Sequence, residues 1–203
     1  MTVRAKKNPG LGGKALLFAR NFFRHPRMLG SLVPSSPFLI RRVLRRIDWG
    51  TARVIVEYGA GVGTFTAEIL RRMRPDAILV AFETNDEFVQ YLRDTLPDPR
   101  LHIVHGSADQ VGAVLERLGR GPADYVISGI PFSTIPKETR ESILRSTREA
   151  LRPRGALIVY QFTRSILPSL ERVFGRVSRD FEPRNILPAQ LFYCTSAAAD
   201  RAA

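Results

Sequence analysis

Residues 54–64 read VIVEYGAGVGT, an apolar run that passes directly into a glycine-rich turn. The apolar run predicts a buried β-strand, and the residues after the turn have the spacing of an amphipathic helix. Glycines let the backbone of such a turn approach a ligand closely, and the helix N-terminus that follows favours negative charge. The stretch therefore predicts a strand, a ligand-binding turn and a helix, as in an α/β fold.

Strand-like and helix-like segments alternate beyond Trp49, a pattern typical of a parallel sheet covered by helices. A terminal antiparallel hairpin is predicted within Val173–Cys194, which carries few helix signals. The other predicted strands are Arg53–Glu57, Ala77–Glu83, Leu101–His105, Asp124–Ser128 and Gly155–Phe162.

The formal net charge of +12 is concentrated near the N-terminus. Residues 1–46 contain 11 Lys or Arg and no Asp or Glu, whereas the remainder holds 20 basic and 19 acidic residues. Such a basic arm suits an anionic partner, either lipid or nucleic acid. The sequence lacks a secretory signal pattern and an apolar run near the roughly 20 residues that a membrane span needs, which predicts a cytoplasmic protein. The single Cys194 and the absence of a Cys/His cluster predict neither an internal disulfide nor a metal site.

Two helices are predicted within this arm, at residues 14–25 and after Ser35-Ser36-Pro37, which supplies an N-cap and a first-turn proline. An interfacial helix needs both cationic and apolar side chains, whereas a nucleic-acid arm gains little from a contiguous Leu/Phe face. We therefore predict that the first helix binds the anionic surface of the cytoplasmic membrane, although it could also pack over the sheet as a lid. The predicted membrane-binding residues are Leu16, Phe18, Arg20, Phe22, Phe23 and Arg24. The second helix has apolar Phe38, Leu39, Val43, Leu44 and Ile47 and, on its other side, Arg41, Arg42, Arg45 and Arg46.

Two carboxylates indicate the chemistry of the ligand. Glu57 precedes a G-x-G-x-G turn, where it would repel the pyrophosphate of a dinucleotide and attract a cation. S-adenosylmethionine is such a cation, because it carries a sulfonium and an ammonium group. Glu83, at the end of the next strand and followed by Thr84, would accept hydrogen bonds from ribose hydroxyls. Its alternative role is a solvated cap of the following helix.

The segment from Glu57 to Gly63, together with Glu83, resembles the first two motifs of class I methyltransferases. This resemblance implies a Rossmann-like α/β fold: a seven-stranded, mostly parallel sheet in the order 3-2-1-4-5-7-6, with helices on both faces. It also implies an S-adenosylmethionine site at Gly59, Gly61, Gly63 and Thr64, with adenine contacts from Ala108 and either Ser107 or Asp109. We divide the chain into a basic amphipathic segment, residues 1–48, and a methyltransferase catalytic domain, residues 49–203.

The segment Ser128-Gly-Ile-Pro-Phe132 resembles the acceptor motif of enzymes that methylate amide-like nitrogens, with serine in place of asparagine. Ser128 leaves room for an alkyl ammonium beside the cofactor, and its hydroxyl could orient the amine together with the carbonyls of Gly129 and Ile130. Pro131 completes the turn. Phe132 could contact a methylated ammonium through its ring, or it could be core packing.

Two further residues are candidates for the acceptor site. Tyr160, at the end of the fifth predicted strand, could contact the amine or relay its proton, although a packed tyrosine is the alternative. Arg164 follows that strand and could hold a lipid phosphate, because guanidinium matches phosphate geometry, or it could be a solvated loop arginine.

The residues Phe22–Pro26, Gly30–Pro37 and Ser128–Phe132 together resemble the bacterial phospholipid N-methyltransferase family, across nearly the whole chain. The resemblance implies methylation of phosphatidylethanolamine toward phosphatidylcholine by an enzyme peripherally associated with the membrane. Ribosomal RNA adenine N6-methylation is the alternative, and the missing asparagine of the acceptor motif argues against it and against a nucleic-acid partner. A non-catalytic binding protein is a third possibility, which the retained Glu57 and glycines disfavour.

Overall fold

The computed structural model describes residues 35–195. Its helices are α1 (Pro37–Leu44), α2 (Thr64–Arg72), α3 (Asp86–Thr95), α4 (Val111–Arg117), α5 (Lys137–Ala150) and α6 (Leu167–Phe174). Its strands are β1 (Val54–Tyr58), β2 (Ile78–Glu83), β3 (Leu101–His105), β4 (Ala123–Ser128), β5 (Leu151–Gln161), β6 (Val177–Glu182) and β7 (Ala189–Thr195). Short 3-10 turns occupy Ala108–Gln110 and Phe132–Thr134.

The seven strands form one sheet in the order β3-β2-β1-β4-β5-β7-β6, which confirms the predicted order. Strand β7 runs antiparallel to β5 and β6, and the remaining pairs are parallel. The largest boundary error concerns β5, which was predicted from Gly155 and begins at Leu151. The strand is extended because Leu151 pairs with Ala123, ahead of a register shift between β4 and β5. Such an irregularity leaves no regular pattern in the sequence, so the extension was not predicted.

Helices cover both faces of the sheet, as predicted. Alternate strand residues point to opposite faces, so the central strands β1, β2, β4 and β5 contribute to two apolar clusters. One cluster joins strand residues such as Val56, Val126 and Val159 to α4, α5 and α6. The other joins Ile127 and Ile158, with their neighbours, to α1 and α2. The continuous apolar character of β1 follows from this burial on both sides.

Helix α1 begins as the sequence predicts. Pro37 occupies its first turn, and the Ser36 hydroxyl accepts a hydrogen bond from the Leu39 N–H at 3.2 Å. Phe38 departs from the apolar set that was predicted for this helix, because it lies one residue, or about 100°, around the helix from the buried Leu39. Its ring lies at the surface under the Arg184 guanidinium.

The α1 helix packs into the same core as the sheet, and the domain boundary predicted between residues 48 and 49 stays a prediction. The predicted membrane-binding helix lies outside the described residues, so its role also stays a prediction. Within residues 35–195, no helix is long and apolar enough to cross a membrane. The same range contains no group of His, Cys, Asp and Glu side chains that could hold a metal ion.

Candidate cofactor and acceptor site

The glycine turn between β1 and α2 adopts a backbone that favours glycine. Gly59, Gly61 and Gly63 have φ angles of 75°, 55° and 74°, in the left-handed region that side chains disfavour. The Gly59 N–H donates to the Phe82 carbonyl at 2.8 Å, which holds the turn against β2. A Cβ atom on Gly61 would meet nothing within 4 Å, so the turn leaves open space beside its backbone.

Gly63 allows α2 to approach α3 closely, and we expect Gly63→Ala to lower the free energy of unfolding by about 1–3 kcal/mol. The added Cβ would stand 2.7 Å from Leu92 Cδ2 and 2.8 Å from Leu96 Cδ1, at a positive φ. Urea unfolding measures the change. The matched control is Gly112→Ala in α4, where a Cβ meets nothing within 4 Å. Equal stability of Gly63→Ala and the wild type would contradict this prediction.

Glu57 is a buried carboxylate at the end of β1. The Thr66 hydroxyl donates a hydrogen bond to its Oε2 at 2.7 Å. Burial, with a smaller contribution from the charge of Glu83, raises the pKa of Glu57 to about 7, although the Thr66 bond acts in the opposite direction. Because burial disfavours the ionised form of this carboxylate, a cationic ligand beside it would stabilise that form.

As the pH is raised toward about 6.5, the affinity for S-adenosylmethionine is expected to increase about tenfold per pH unit, because the cation requires ionised Glu57. Above about pH 7 the affinity should no longer change. Unliganded stability should change in the opposite direction. The folded-state pKa exceeds the ordinary value of 4.5, so the folded protein binds more protons and its stability falls as pH rises from 4.5 to about 7. Calorimetric titrations measure the first effect and urea unfolding the second. Equal pH slopes in the wild type and Glu57→Gln would contradict both expectations.

Glu83 connects the glycine turn to the end of β2. Its Oε2 accepts the Gly61 N–H at 2.8 Å, and its Oε1 accepts the N–H groups of Thr84 and Asn85 at 2.8 and 2.9 Å. The alternative role of a solvated helix cap is wrong, because Glu83 is buried and Asn85 caps α3 by accepting the Phe88 N–H. Glu83 lies at the end of β2, where the fold implies a ribose contact, and its contact with ribose hydroxyls stays a prediction.

The loop after β3 contains the residues predicted to contact adenine. Ser107 precedes the 3-10 turn, and Ala108 is buried in the core. Asp109 Oδ1 is buried and has no hydrogen-bond partner within residues 35–195. An exocyclic amine could pair with this acceptor, and whether Ser107 or Asp109 contacts adenine stays a prediction.

Ser128 ends β4 and lies opposite Tyr58 of β1 and Val159 of β5. Both neighbours belong to the cluster under α4, α5 and α6, so Ser128 points to that face. Its Oγ is buried without a hydrogen-bond partner in the described part of the chain. Glu57 and Tyr160 lie on the opposite face by the same alternation. The structure therefore does not bring the Ser128 hydroxyl together with Tyr160, and the predicted catalytic role of Ser128 stays a prediction.

The backbone after Ser128 lies against the cofactor turn. A Cβ on Gly59 would be 3.6 Å from atoms of Gly129 and Ile130, which shows how closely the two segments approach. The phenol of Tyr160 lies over Gly129, where a Cβ would stand 2.2 Å from the hydroxyl oxygen. The Tyr160 ring stacks on Phe65, with the ring centroids 4.8 Å apart. Burial, followed by the charge of Glu57, raises the pKa of Tyr160, so its hydroxyl stays protonated at neutral pH.

The remaining predicted acceptor residues are placed around this contact. Pro131 precedes the second 3-10 turn, and Phe132 is only 1% exposed and packs in the core, as its alternative role requires. Its contact with an ammonium group stays a prediction. Arg164 is exposed, and its Nε donates to Gln190 Oε1 at 3.0 Å.

Sequence reasoning missed two polar side chains that organise the site. Thr66 is fully buried on α2 and binds Glu57. Gln161 is buried at the end of β5 and donates from Nε2 to the Ile130 carbonyl, which also accepts the Phe132 N–H at 2.9 Å. The only available signal was a polar residue at a position that strand or helix periodicity buries.

These residues fit S-adenosylmethionine, which is the cofactor. Glu57 suits the cationic end of the molecule, and the unpartnered Asp109 oxygen suits its adenine amine. The turn that joins β1 to α2 leaves open space at Gly61, whose N–H is bound by Glu83. The fold and site together define a class I S-adenosylmethionine-dependent methyltransferase.

Comparison with known sequences agrees with this class. The sequence profile described as a methyltransferase domain matches residues 55–155. An ornithine lipid N-methyltransferase from Singulisphaera acidiphila is 36% identical over 187 residues, which cover 88% of this chain and 94% of that protein. A ubiquinone/menaquinone biosynthesis C-methyltransferase from Idiomarina loihiensis is 26% identical, covering 66% of this chain and 50% of its own length. The chain belongs to the methyltransferase family that includes the Singulisphaera protein.

Solved structures show the same fold at low sequence identity. The N-methyltransferase NodS from Bradyrhizobium japonicum WM9 matches with a TM-score of 0.60 and 12% identity, covering 89% of this chain and 97% of its own. An O-methyltransferase family protein from Burkholderia thailandensis also has a TM-score of 0.60, at 13% identity, covering 92% of this chain and 60% of that one.

Proposed function

We propose that this enzyme transfers methyl groups from S-adenosylmethionine to the amine nitrogen of a membrane lipid. The observation that carries the proposal is the 36% identity to an ornithine lipid N-methyltransferase across 94% of that protein's length. The acceptor segment also departs from adenine methyltransferases, because it begins with serine in place of their asparagine.

The acceptor amine must be neutral to attack a methyl group, yet a primary alkylamine has a pKa near 10. Desolvation beside the packed Tyr160 and Phe65 rings would lower that pKa. The Ile130 carbonyl already accepts two hydrogen bonds, from the Gln161 amide and the Phe132 N–H. Of the two carbonyls predicted to orient the amine, Gly129 is therefore the better candidate. We propose that the Tyr160 hydroxyl, which lies over Gly129, contacts the same amine.

Two headgroups present a suitable amine. Phosphatidylethanolamine, methylated toward phosphatidylcholine, is the acceptor that the sequence predicts, and an ornithine headgroup is favoured by the name of the Singulisphaera relative. The first carries a phosphate where the second carries a carboxyl group. The exposed guanidinium of Arg164 can bind either anion, so this residue does not discriminate between them.

The deciding experiment is transfer of radiolabelled methyl groups from S-adenosylmethionine to vesicles that contain phosphatidylethanolamine or ornithine lipid, with ribosomal RNA as a separate acceptor. Label is expected in an amine lipid, and chromatography of the extracted lipids identifies the headgroup. The Glu83→Ala variant controls for contaminating activity. Label in RNA alone, or in none of the acceptors, would contradict the proposal.

A further inference from the structure

Four large apolar side chains are exposed in the described part of the chain, and all lie on the first turn of α1 or on the β6–β7 hairpin. Ile186 is 70% exposed, Phe181 44%, Leu187 43% and Phe38 38%. Phe181 pairs with Gln190, which shares a sheet face with Phe192 of the cluster under α4, α5 and α6, so Phe181 points away from α1. We call the other three residues, Phe38, Ile186 and Leu187, the apolar tip. Single exposed apolar residues are common on protein surfaces, but the turn that carries Ile186 and Leu187 also contacts Phe38, and this grouping indicates an interaction surface.

The turn that carries the apolar tip is held to α1 by specific contacts. The Asn185 side chain accepts the Ser36 N–H at 2.8 Å and donates to the Leu187 carbonyl at 2.9 Å. The Arg184 guanidinium lies 4.3 Å from the centre of the Phe38 ring. The exposed side chains of the turn are thus presented on a backbone fixed by hydrogen bonds.

The apolar tip lies at the carboxyl end of β5, the same end of the sheet as the acceptor segment. Gln190 of β7 pairs with Gln161 of β5, and Gln161 binds the carbonyl of Ile130. Leu187 is three residues before Gln190, which corresponds to roughly 10 Å of extended chain. A surface that binds the apolar tip would therefore lie close to the acceptor segment.

The charges around the apolar tip are cationic. Arg41 and Arg184 lie against the Phe38 ring, Arg164 contacts Gln190, and all three are exposed. The two carboxylates of β6 are paired with arginines, Asp180 with Arg42 and Arg45, and Glu182 with Arg42 and Arg184. Residues 1–34, which precede α1, contain seven Lys or Arg and no acidic residue, so like charge disfavours them as a cover for this surface.

We propose that the apolar tip inserts into the interfacial region of an anionic bilayer and turns the acceptor segment toward the lipid headgroups. Exposed apolar side chains with arginines beside them combine the two contributions that hold peripheral proteins at such a surface. A nucleic acid would use the arginines but gain nothing from Ile186 and Leu187. The inference rests on the proposed function for its purpose, because a lipid acceptor must be reached at the membrane.

Vesicle flotation of the full chain tests this docking without any methyl acceptor, in vesicles of equal phosphatidylglycerol and phosphatidylcholine. The double variant Ile186→Ser/Leu187→Ser is expected to bind roughly 30-fold more weakly, since both side chains lose their apolar surface. Arg41→Gln/Arg184→Gln should lose roughly fivefold per arginine at low salt. The matched charge control is Arg117→Gln/Arg120→Gln, at the exposed end of α4 and the loop before β4, which should bind as the wild type does.

Thermal unfolding and S-adenosylmethionine affinity should be unchanged in the serine variant, because Ile186 and Leu187 lie outside the cofactor site. Unchanged flotation of that variant, or no flotation of the wild type, would overturn the docking. Tip-dependent flotation without lipid methylation would instead reject the proposed function and leave the docking intact. If neither lipid methylation nor flotation depends on the apolar tip, the docking is rejected and the proposed function is left intact.

A fluorophore attached at Ile186→Cys provides a second measurement. The label should react with this cysteine alone, because the native Cys194 is buried and burial raises the pKa of its thiol to about 12. Its emission should shift to the blue when vesicles are added, whereas a label at Arg120→Cys should not respond. A label at position 186 that is already blue-shifted without vesicles would show that another part of the chain covers the tip. That result, or no shift with vesicles, would also overturn the docking.

Discussion

Glu83→Ala is expected to weaken S-adenosylmethionine binding by roughly 100-fold, because it removes the acceptor of three backbone N–H groups that shape the cofactor turn. Gly61, Thr84 and Asn85 all donate to this carboxylate. Without it, the Gly61 N–H is left without its partner, and the left-handed turn keeps only its backbone hydrogen bonds to the Phe82 carbonyl of β2. Isothermal calorimetry measures the affinity of the purified variant.

Glu83→Gln should be intermediate, because its amide keeps one acceptor oxygen but presents an N–H₂ group to at least one backbone donor. The matched control is Glu116→Gln, which removes an exposed carboxylate from α4 and should leave the affinity unchanged. An affinity of Glu83→Ala within threefold of the wild type would contradict the role assigned to this carboxylate.

Gly129→Ala is expected to lower kcat by roughly 100-fold with little change in S-adenosylmethionine affinity. The reason is that displacing the groups that orient the acceptor by about 1 Å slows the reaction by about this factor. The new Cβ would stand 2.2 Å from the Tyr160 hydroxyl oxygen and 2.7 Å from its Cζ. Either the tyrosine or the acceptor segment must move, and Tyr160 is confined by its stacking on Phe65. Steady-state methylation kinetics with an excess of acceptor measure the effect.

A matched control is Gly121→Ala, in the loop before β4, where a Cβ would meet nothing within 4 Å. Combining Gly129→Ala with Tyr160→Phe should not restore wild-type activity, because the second change relieves the closest contact but leaves the one to Cζ and removes the hydroxyl proposed to contact the amine. Wild-type kcat in Gly129→Ala would show that the Gly129–Tyr160 contact does not position the acceptor.

The sequence predicted the cofactor half of the site better than the acceptor half. Glu57 and Glu83 lie on two strands adjacent in the chain and in the sheet, the three glycines form the turn after the first strand, and their roles follow from local backbone chemistry. The acceptor half combines β4, β5 and the β7 hairpin. Its contacts, such as Gln161 with the Ile130 carbonyl, join residues 31 positions apart that no local pattern connects.

The sequence by itself determined the secondary structure of the α/β domain and the cationic character of the ligand, because continuous apolar runs, glycine turns and buried carboxylates act locally. The tertiary structure decided which face each side chain occupies, and so it separated Ser128 from Tyr160 and placed Phe38 at the surface beside Arg184. It also gathered the apolar tip at the edge of the acceptor site. These outcomes depend on strand order and register, which bring together residues distant in the chain and are set by packing of the whole sheet.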